Sequence, residues 1–165
     1  MDEPTIPTIG LRHAVLWVTD PAASARFYED ALGLVIKNDI GDDNGVFMSS
    51  PASATDHDLG LFRAAAVARP AARQIGMYHL SWEVATLTEL RSARERLKTM
   101  GAYVGENNHG VSRSVYGQDI DGLEFEIMWE VPEALIKVDE PSNIPLDLDA
   151  DDARFGPDQP GRGAR

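Results

Sequence analysis

Cysteine is absent from the 165-residue chain, and histidine is scarce, with four residues in all. The absence of cysteine excludes disulfide bonds, thiolate metal sites and a cysteine nucleophile. Any bound metal must therefore be held by histidine nitrogen and carboxylate oxygen atoms. Because the chain has so few histidines, the search for metal ligands is short.

Long apolar runs and excess positive charge are also lacking. No stretch approaches the roughly 20 apolar residues that a membrane-spanning helix needs, so no membrane association is predicted. The net charge of −12 argues against nucleic-acid binding, because an acidic surface repels phosphate groups. Residues 1–8 contain two acids and two prolines but no basic segment followed by an apolar run. They do not form a signal peptide, and we expect a soluble, cytoplasmic protein.

Two segments of the chain, 10–33 and 76–101, have similar sequences. The first begins GLRHAVLWV and the second GMYHLSWEV, and each continues into a helical stretch that ends at a glycine. Their histidines, His13 and His79, are 66 positions apart, as are the glycines that open the two segments. A segment duplicated within a small protein implies pseudo-twofold symmetry.

Each half has the same predicted order of elements, an apolar strand, a helix and three short strands. Asp20 or Thr19 can cap the first helix, and Thr86 with Glu89 forms a capping-box pattern at the second. The apolar stripe of the first helix is predicted at Ala23, Phe27, Ala31 and Leu32, and that of the second at Leu90, Ala93, Leu97 and Met100. The three later strands are predicted at 35–38, 46–49 and 58–63, and at 103–105, 112–116 and 124–129.

The predicted fold class is therefore α+β, built from two βαβββ modules at 9–64 and 76–130 within one domain, 9–138. Residues 1–8 are predicted to be an N-terminal extension. Residues 139–165 are rich in Asp, Pro and Gly and are predicted to be an acidic tail, either disordered or draped over the surface. The simplest interpretation is that this tail has no functional role.

His13 and His79 are candidate metal ligands. Internal symmetry gives them equivalent strand positions and would point both at a common centre. A lone histidine in a strand is more often satisfied by hydrogen bonds, but a symmetric pair favours a shared metal. The third ligand should be a carboxylate from the last strand. Glu126 lies between Phe125 and Ile127, where a bare carboxylate is costly to bury without a cation, whereas Glu124 lies nearer the turn.

The chain resembles the vicinal oxygen chelate superfamily of glyoxalases, extradiol ring-cleaving dioxygenases and bleomycin- or fosfomycin-resistance proteins. The similarity extends from Ile9 to Trp129, through LRHAV at the first strand, FYEDALGL at the end of the first helix, and DIDGLEFE at 119–126. The closing motif of the family is Asp-Pro-Asp-Gly-x-x-apolar-Glu, and its last residue, a metal ligand, corresponds to Glu126. Ile120 replaces the usual proline, which should alter the turn only slightly.

The resemblance implies that the two modules form a cupped, incompletely closed eight-stranded barrel around one divalent metal bound by His13, His79 and Glu126. Glyoxalases usually take a fourth ligand from the last strand of the first half, where this chain has no carboxylate between Leu59 and Phe62. Three protein ligands leave open positions, as in non-haem Fe(II) oxygenases. The resemblance also implies a homodimer, because family members often dimerise.

Two further stretches resemble extradiol dioxygenases. DHDLGLF, at 56–62, carries His57 at the position of an acid–base catalyst. HGVSRSVY, at 109–116, carries His109 and Tyr116 where residues of that group adjoin the substrate. Tyr116 also has the strand parity of Glu126 and can share its face. The alternatives are exposed loop histidines and a tyrosine that simply fills a strand.

The function that we predict is an Fe(II)-dependent extradiol-type dioxygenase that cleaves a catechol-like vicinal diol with O2. The alternatives are a glyoxalase-like isomerase or lyase using Mn, Ni, Co or Zn, and a resistance protein that sequesters a small molecule. Arg63 or Arg113 could pair with a substrate carboxylate, with a solvated surface charge as the alternative. The pocket walls are predicted to include the apolar side chains Trp17, Phe47, Phe62, Trp82 and Met128.

Overall fold

The structure is a computed structural model that describes residues 8, 10–41, 43–66 and 75–164. It divides into two compact units, Met1–Val67 and Ala68–Arg165. Apart from Thr8, the predicted N-terminal extension lies outside the described residues, as does Ile9, the first residue of the first predicted module. Of the helices within the described residues, none is both long and apolar enough to cross a membrane.

The first unit contains one helix and a four-stranded sheet. Its elements in chain order are β1 (Ala14–Val18), α1 (Pro21–Leu32), β2 (Val35–Asp39), β3 (Gly45–Ser49) and β4 (Leu59–Arg63). The strand order is β1-β4-β3-β2, with β1 parallel to β4 and the other pairs antiparallel. Helix α1 covers the sheet face that carries the buried side chains Leu16, Val18, Leu59 and Leu61.

The second unit repeats this arrangement. Its elements are β5 (His79–Glu83), α2 (Leu87–Met100), β6 (Tyr103–Asn108), β7 (Ser112–Gln118) and β8 (Glu124–Glu130), followed by a short 3-10 helix (Glu133–Leu135) and α3 (Leu148–Phe155). The strand order is β5-β8-β7-β6, again with one parallel pair, β5 and β8. The predicted α+β class and the two βαβββ modules are therefore confirmed.

The helix ends form as the local sequence predicts. The side chain of Asp20 accepts a hydrogen bond from the backbone N–H of Ala23, and that of Thr86 accepts one from Glu89. Gly33 and Gly101 end the helices in the left-handed conformation. The predicted stripe of α1 is wrong in part, because its buried face carries Ser24, Ala25, Tyr28 and Ala31, while Ala23 and Phe27 are half-buried.

Replacing Gly101 with alanine is expected to lower the free energy of unfolding by about 1 kcal/mol. The residue has a φ of 69°, and an added Cβ would meet nothing within 4 Å, so the effect reports backbone strain alone. Urea unfolding followed by circular dichroism measures it. Thr99→Ala, at an exposed position of the same helix, is the control, and an equal loss in both variants would contradict this explanation.

The described part of the predicted acidic tail, residues 139–164, contains a helix and packs on the second unit, which favours the second of its two alternatives. Residues 148–155 form α3, in which Leu148 and Asp151 are buried. The indole N–H of Trp129 donates to the carbonyl of Gln159, and the backbone N–H of Gly161 donates to the carbonyl of Ala85. The segment thus packs onto the second unit, because it contributes apolar and charged partners that the sheet leaves unmatched.

A network of charges fastens α3 to β7. Arg113 is 1% exposed and donates from Nε to both carboxylate oxygens of Asp151, at 2.9 and 2.8 Å. Its Nη1 donates to the carbonyl of Gly110 at 2.9 Å. Arg154 binds Glu140 through two N–H groups, and its hydrogen bonds lower the pKa of Glu140 to about 2. Arg113 is therefore a structural residue, and its predicted roles as a substrate partner or a solvated charge are wrong.

Candidate functional site

The face of the second sheet opposite α2 carries polar side chains at its centre. Side chains alternate along a strand, so the residues paired in register share a face. Ser81 of β5 pairs with Glu126 of β8, which in turn pairs with Tyr116 of β7. Phe125, Ile127 and Trp129 take the opposite face and are buried. The alternation within β8 thus separates an apolar core from a polar site.

His79 and Glu126 lie next to each other on this polar face. Nε2 of His79 is 3.4 Å from Oε2 of Glu126, longer than an ordinary hydrogen bond of about 2.7–3.2 Å. Two ligands each about 2.1 Å from one cation, at roughly 90–110° to each other, are about 3.0–3.4 Å apart. The observed spacing therefore fits two side chains that share a metal ion.

The other ring nitrogen of His79 points towards Glu124. Nδ1 is buried and has no hydrogen-bond partner, and Oε1 of Glu124 lies 3.7 Å away. Histidines that bind metals commonly donate this second N–H to a carboxylate, which fixes the orientation of the ring. A small rotation of the Glu124 side chain would supply that partner, so the pair fits a ligand and its outer carboxylate.

Glu126 is 8% exposed and ionised at neutral pH. Burial works to raise the pKa of its carboxyl, but the neighbouring polar groups together hold this pKa below its ordinary value, beginning with the hydroxyl groups of Ser114 and Ser81. The hydroxyl of Tyr116 and the ring of His79 add to the lowering. A buried carboxylate that accepts one phenol hydrogen bond and lies beside an imidazole is an arrangement that a cation would stabilise further.

Tyr116 links Glu126 to His109. Its hydroxyl donates to Oε1 of Glu126 at 3.1 Å and lies 2.7 Å from Nε2 of His109. Burial, the charge of Glu126 and the hydrogen bond to it raise the pKa of Tyr116 to about 12. The phenol therefore keeps its proton at neutral pH and can act as a donor beside the carboxylate.

The first unit brings together its own two histidines. The rings of His13 and His57 are stacked, with centroids 4.5 Å apart, and Phe47 lies 4.7 Å from the ring of His57. Nδ1 of His57 is 2.9 Å from a carboxylate oxygen of Asp56. Phe47 also contacts Phe62, which contacts Trp17. One face of this sheet thus combines two imidazoles with three aromatic side chains.

Asp58 shapes the loop that presents His57. Its carboxylate accepts hydrogen bonds from the side chains of Ser49, Ser53 and Thr55 and from the backbone N–H of Ser50. Burial alone would raise the pKa of Asp58, but these hydrogen bonds lower it, so the group is a fixed anion at neutral pH. The loop is therefore ordered by one internal carboxylate.

The predicted site residues fall into two groups, one in each unit. His79, Glu126, Tyr116 and His109 are close together in the second unit, and His13 and His57 are in contact in the first. Among the described residues, no group of three or more His, Asp or Glu side chains that could hold a metal ion is found. The three-ligand set remains a prediction that needs a histidine from each half of the repeat.

Among the predicted pocket walls, Trp17, Phe47 and Phe62 share the face of the first sheet that carries His57. Met128 has the parity of Glu126, but Trp82 pairs with Ile127 on the face towards α2, so its assignment to the pocket is wrong. Arg63 pairs with Asp43 and with the carbonyl of Thr19, which gives it local partners.

Sequence reasoning missed Ser81, Ser114 and Asn143. The two serines were open to prediction, because strand parity places them beside Glu126. Asn143 carries no such signal, since it follows the last strand by 13 residues. It reaches the site through a backbone bridge, in which residues 108 and 144 exchange two hydrogen bonds of 3.0 and 3.2 Å.

Comparison with known proteins identifies the family of the chain and structures that share its fold. The sequence pattern described as "Glyoxalase/Bleomycin resistance protein/Dioxygenase superfamily" matches residues 10–127. No curated protein matches the chain. A glyoxalase/dioxygenase from Nostoc punctiforme has a TM-score of 0.63 and 19% identity, covering 78% of this chain and 99% of that one. A glyoxylase/bleomycin resistance protein/dioxygenase domain from a Frankia species has a TM-score of 0.62 and 22% identity, covering 75% of this chain and 99% of that one.

A variant of the fosfomycin resistance protein from Listeria monocytogenes is also similar, with a TM-score of 0.57 and 19% identity over 73% of this chain and 92% of that one. That structure is a complex with Mn(II) and 1S,2S-dihydroxypropylphosphonic acid. At these levels of identity the solved structures show a shared fold.

Proposed function

This chain belongs to the glyoxalase/bleomycin resistance protein/dioxygenase superfamily, and we propose that it is a metal-dependent enzyme acting on a small molecule with two adjacent oxygen atoms. The observation that carries the proposal is the pair formed by His79 and Glu126, 3.4 Å apart between Nε2 and Oε2. A buried carboxylate beside an imidazole, at the spacing of two ligands on one cation, is a site that a metal would complete.

We propose His13 as the third ligand. The internal repeat makes it the counterpart of His79. His13 directly precedes β1 and His79 is the first residue of β5, and each of these strands pairs in parallel with the last strand of its module. Two imidazoles and one carboxylate suit Fe(II), and also Mn, Ni, Co or Zn. From the resemblance to dimeric family members, we propose that the enzyme is a homodimer.

The reaction that fits these residues best is extradiol cleavage of a catechol-like diol by O2. A bound Fe(II) would hold both substrate oxygens and dioxygen and would lower the pKa of the diol. His57 lies against His13, so its imidazole can take a proton from one diol hydroxyl and return it as the ring opens. Both atoms of O2 enter the product as the carbon–carbon bond beside the diol breaks.

The aromatic residues and Tyr116 would position the substrate. Trp17, Phe47 and Phe62 give the face beside His57 an apolar surface that suits an aromatic ring. The phenol of Tyr116 keeps its proton at neutral pH, so it can donate a hydrogen bond to an oxygen on which negative charge develops. Asp56 and the tilted ring of Phe47 contact His57 and would hold it in place for proton transfer.

A second candidate is a glyoxalase-like isomerase or lyase. The similarity to a fosfomycin resistance protein that binds Mn(II) favours it, because that chemistry needs no oxygen. The absence of a carboxylate between Leu59 and Phe62 argues against it, since glyoxalases usually draw a fourth ligand from that strand. A resistance protein that only sequesters its ligand is less favoured, because such proteins usually lack the ligand set.

Metal analysis of protein purified without oxygen, combined with oxygen uptake on a panel of catechols, tests the proposal. We expect about one Fe(II) per chain and uptake with at least one catechol. The matched variant is His57→Phe, which keeps the stacking on His13 but cannot transfer a proton. It should retain iron and lose turnover by roughly 100-fold or more. Full iron loading without uptake on any catechol, together with turnover of a hemithioacetal, would select the second candidate.

A further inference from the structure

The two oxygen atoms of the Glu126 carboxylate have different neighbours. Oε2 lies 3.4 Å from Nε2 of His79, the residue proposed as a metal ligand. Oε1 lies 3.1 Å from the hydroxyl of Tyr116. Glu126 is buried, with 8% of its surface exposed, so water competes little for either oxygen. One oxygen therefore faces an imidazole at the spacing of two ligands, and the other faces a phenol.

The directions of the hydrogen bonds follow from the chemistry of the three groups. An ionised carboxylate has no proton and can only accept, so the phenol of Tyr116 donates to Oε1 of Glu126. The phenol has a single proton. Its 2.7 Å contact with Nε2 of His109 therefore needs the imidazole as the donor. The N–H of His109 thus holds the phenol oxygen and leaves the phenol proton for the carboxylate.

We propose that Tyr116 is a positioning residue that reserves Oε1 of Glu126, so that this carboxylate binds the metal through Oε2 alone. Carboxylates that bind metals are themselves hydrogen-bonded by outer groups, which orient them. An oxygen that accepts a phenol hydrogen bond has less electron density to give to a cation, whereas Oε2 already lies at ligand spacing from His79. His109 acts one step further out, because it fixes the phenol oxygen.

The inference rests on the proposed function for the metal itself, and it determines how much of the metal is left for substrate. A carboxylate takes one coordination position when it binds through one oxygen and two when it binds through both. With two imidazoles and a carboxylate bound through one oxygen, an octahedral cation keeps positions for both diol oxygens and for O2. Binding through both carboxylate oxygens would leave positions for the diol alone. The phenol of Tyr116 has this role before a substrate arrives.

Infrared difference spectra, recorded with and without Mn(II), test the inference on full-length protein labelled with 13C at the glutamate carboxyl groups. The antisymmetric and symmetric carboxylate stretches are widely separated when one oxygen binds a metal and close together when both do. We expect a wide separation in the wild type and a narrow one in Tyr116→Phe, which keeps the aromatic ring and removes the donor. Glu126→Gln should remove both bands, which assigns them to this residue.

Three further variants separate the hydrogen-bond chain from a general effect of substitution. The amide of glutamine can still donate to the phenol, so His109→Gln should keep the wide separation. His109→Phe has no donor and should shift the separation towards the narrow value. Tyr103 is on β6, where Lys98 lies 5.2 Å from the centre of its ring. Tyr103→Phe removes a phenol outside the site and should match the wild type.

A narrow separation in the wild type, or a wide one in Tyr116→Phe with Mn(II) bound, would overturn the inference and leave the metal site standing. Spectra of the metal-free proteins separate this failure from failure of the proposed function. Without metal, loss of the phenol hydrogen bond should still shift the antisymmetric stretch of Glu126 in Tyr116→Phe. If that shift is present but Mn(II) changes no carboxylate band in any protein, the proposed function is overturned, and binding through Oε2 with it.

Discussion

Replacing Asp151 with alanine is expected to lower the free energy of unfolding by about 3–5 kcal/mol, because it leaves a buried guanidinium without its main counter-charge. The side chains of Arg113 and Asp151 are 1% and 7% exposed, so water cannot compensate the lost ion pair. Glu140 remains 3.6 Å from Arg113, but its carboxylate is already paired with Arg154. Chemical denaturation followed by tryptophan fluorescence measures the change.

Asp149→Ala is the matched control for this prediction. Asp149 belongs to the same helix and pairs with Arg91, but its side chain is 90% exposed. Exposed ion pairs contribute little, so the loss should be within about 0.5 kcal/mol. Combining Arg113→Met with Asp151→Leu should recover much of the stability lost in Asp151→Ala, because no buried charge is left unpaired. Equal losses for the Asp151 and Asp149 variants would show that the buried pair does not anchor α3.

Substitution of His79 by alanine, or of Glu126 by glutamine, is expected to weaken binding of a divalent metal by more than roughly 100-fold. Loss of an outer partner of a ligand typically costs 10–100-fold, and loss of a ligand should cost more. Calorimetric titration of metal-free protein with Mn(II), which needs no protection from oxygen, gives the affinities. The readout is independent of any substrate.

Glu124→Gln is the control that separates a ligand from its outer partner. Glu124 is on the same strand and face as Glu126 but lies near Nδ1 of His79, at 3.7 Å. Its substitution should weaken metal binding by about 10-fold and no more than about 100-fold. A larger loss of metal affinity for the Glu124 variant than for the Glu126 variant would show that Glu124 is the ligand and Glu126 the outer partner. Unchanged affinity in His79→Ala would remove the proposed metal site altogether.

Much of the fold could be predicted from the sequence because its signals are local. The repeated segment, the capping residues and the glycine after each helix each act within a few residues of the chain. All eight strands lie within a few residues of their predicted positions. The buried face of α1 was misjudged, because Phe27 and Tyr28 are adjacent aromatics and the sequence alone does not decide which of them faces the sheet.

The candidate site was predictable where strand geometry determines it. A parallel pair of β5 and β8 puts His79 and Glu126 on one face, and parity adds Tyr116. The C-terminal segment was not predictable, because its composition is that of a disordered chain. What holds it is a distant partner, Arg113, which had no counter-charge within its own module. A buried arginine in a strand with no nearby carboxylate is the signal that could have predicted it.

In each unit the first strand pairs with the last, and this has a consequence for how the protein is made. His79 emerges from the ribosome 47 residues before Glu126, and β5 has no other strand to pair with in its sheet. During synthesis the imidazole of His79 therefore lacks its Glu126 neighbour until the end of the module has been translated. A nascent chain cannot capture a cation between these two side chains, so loading of the proposed metal follows completion of the second module.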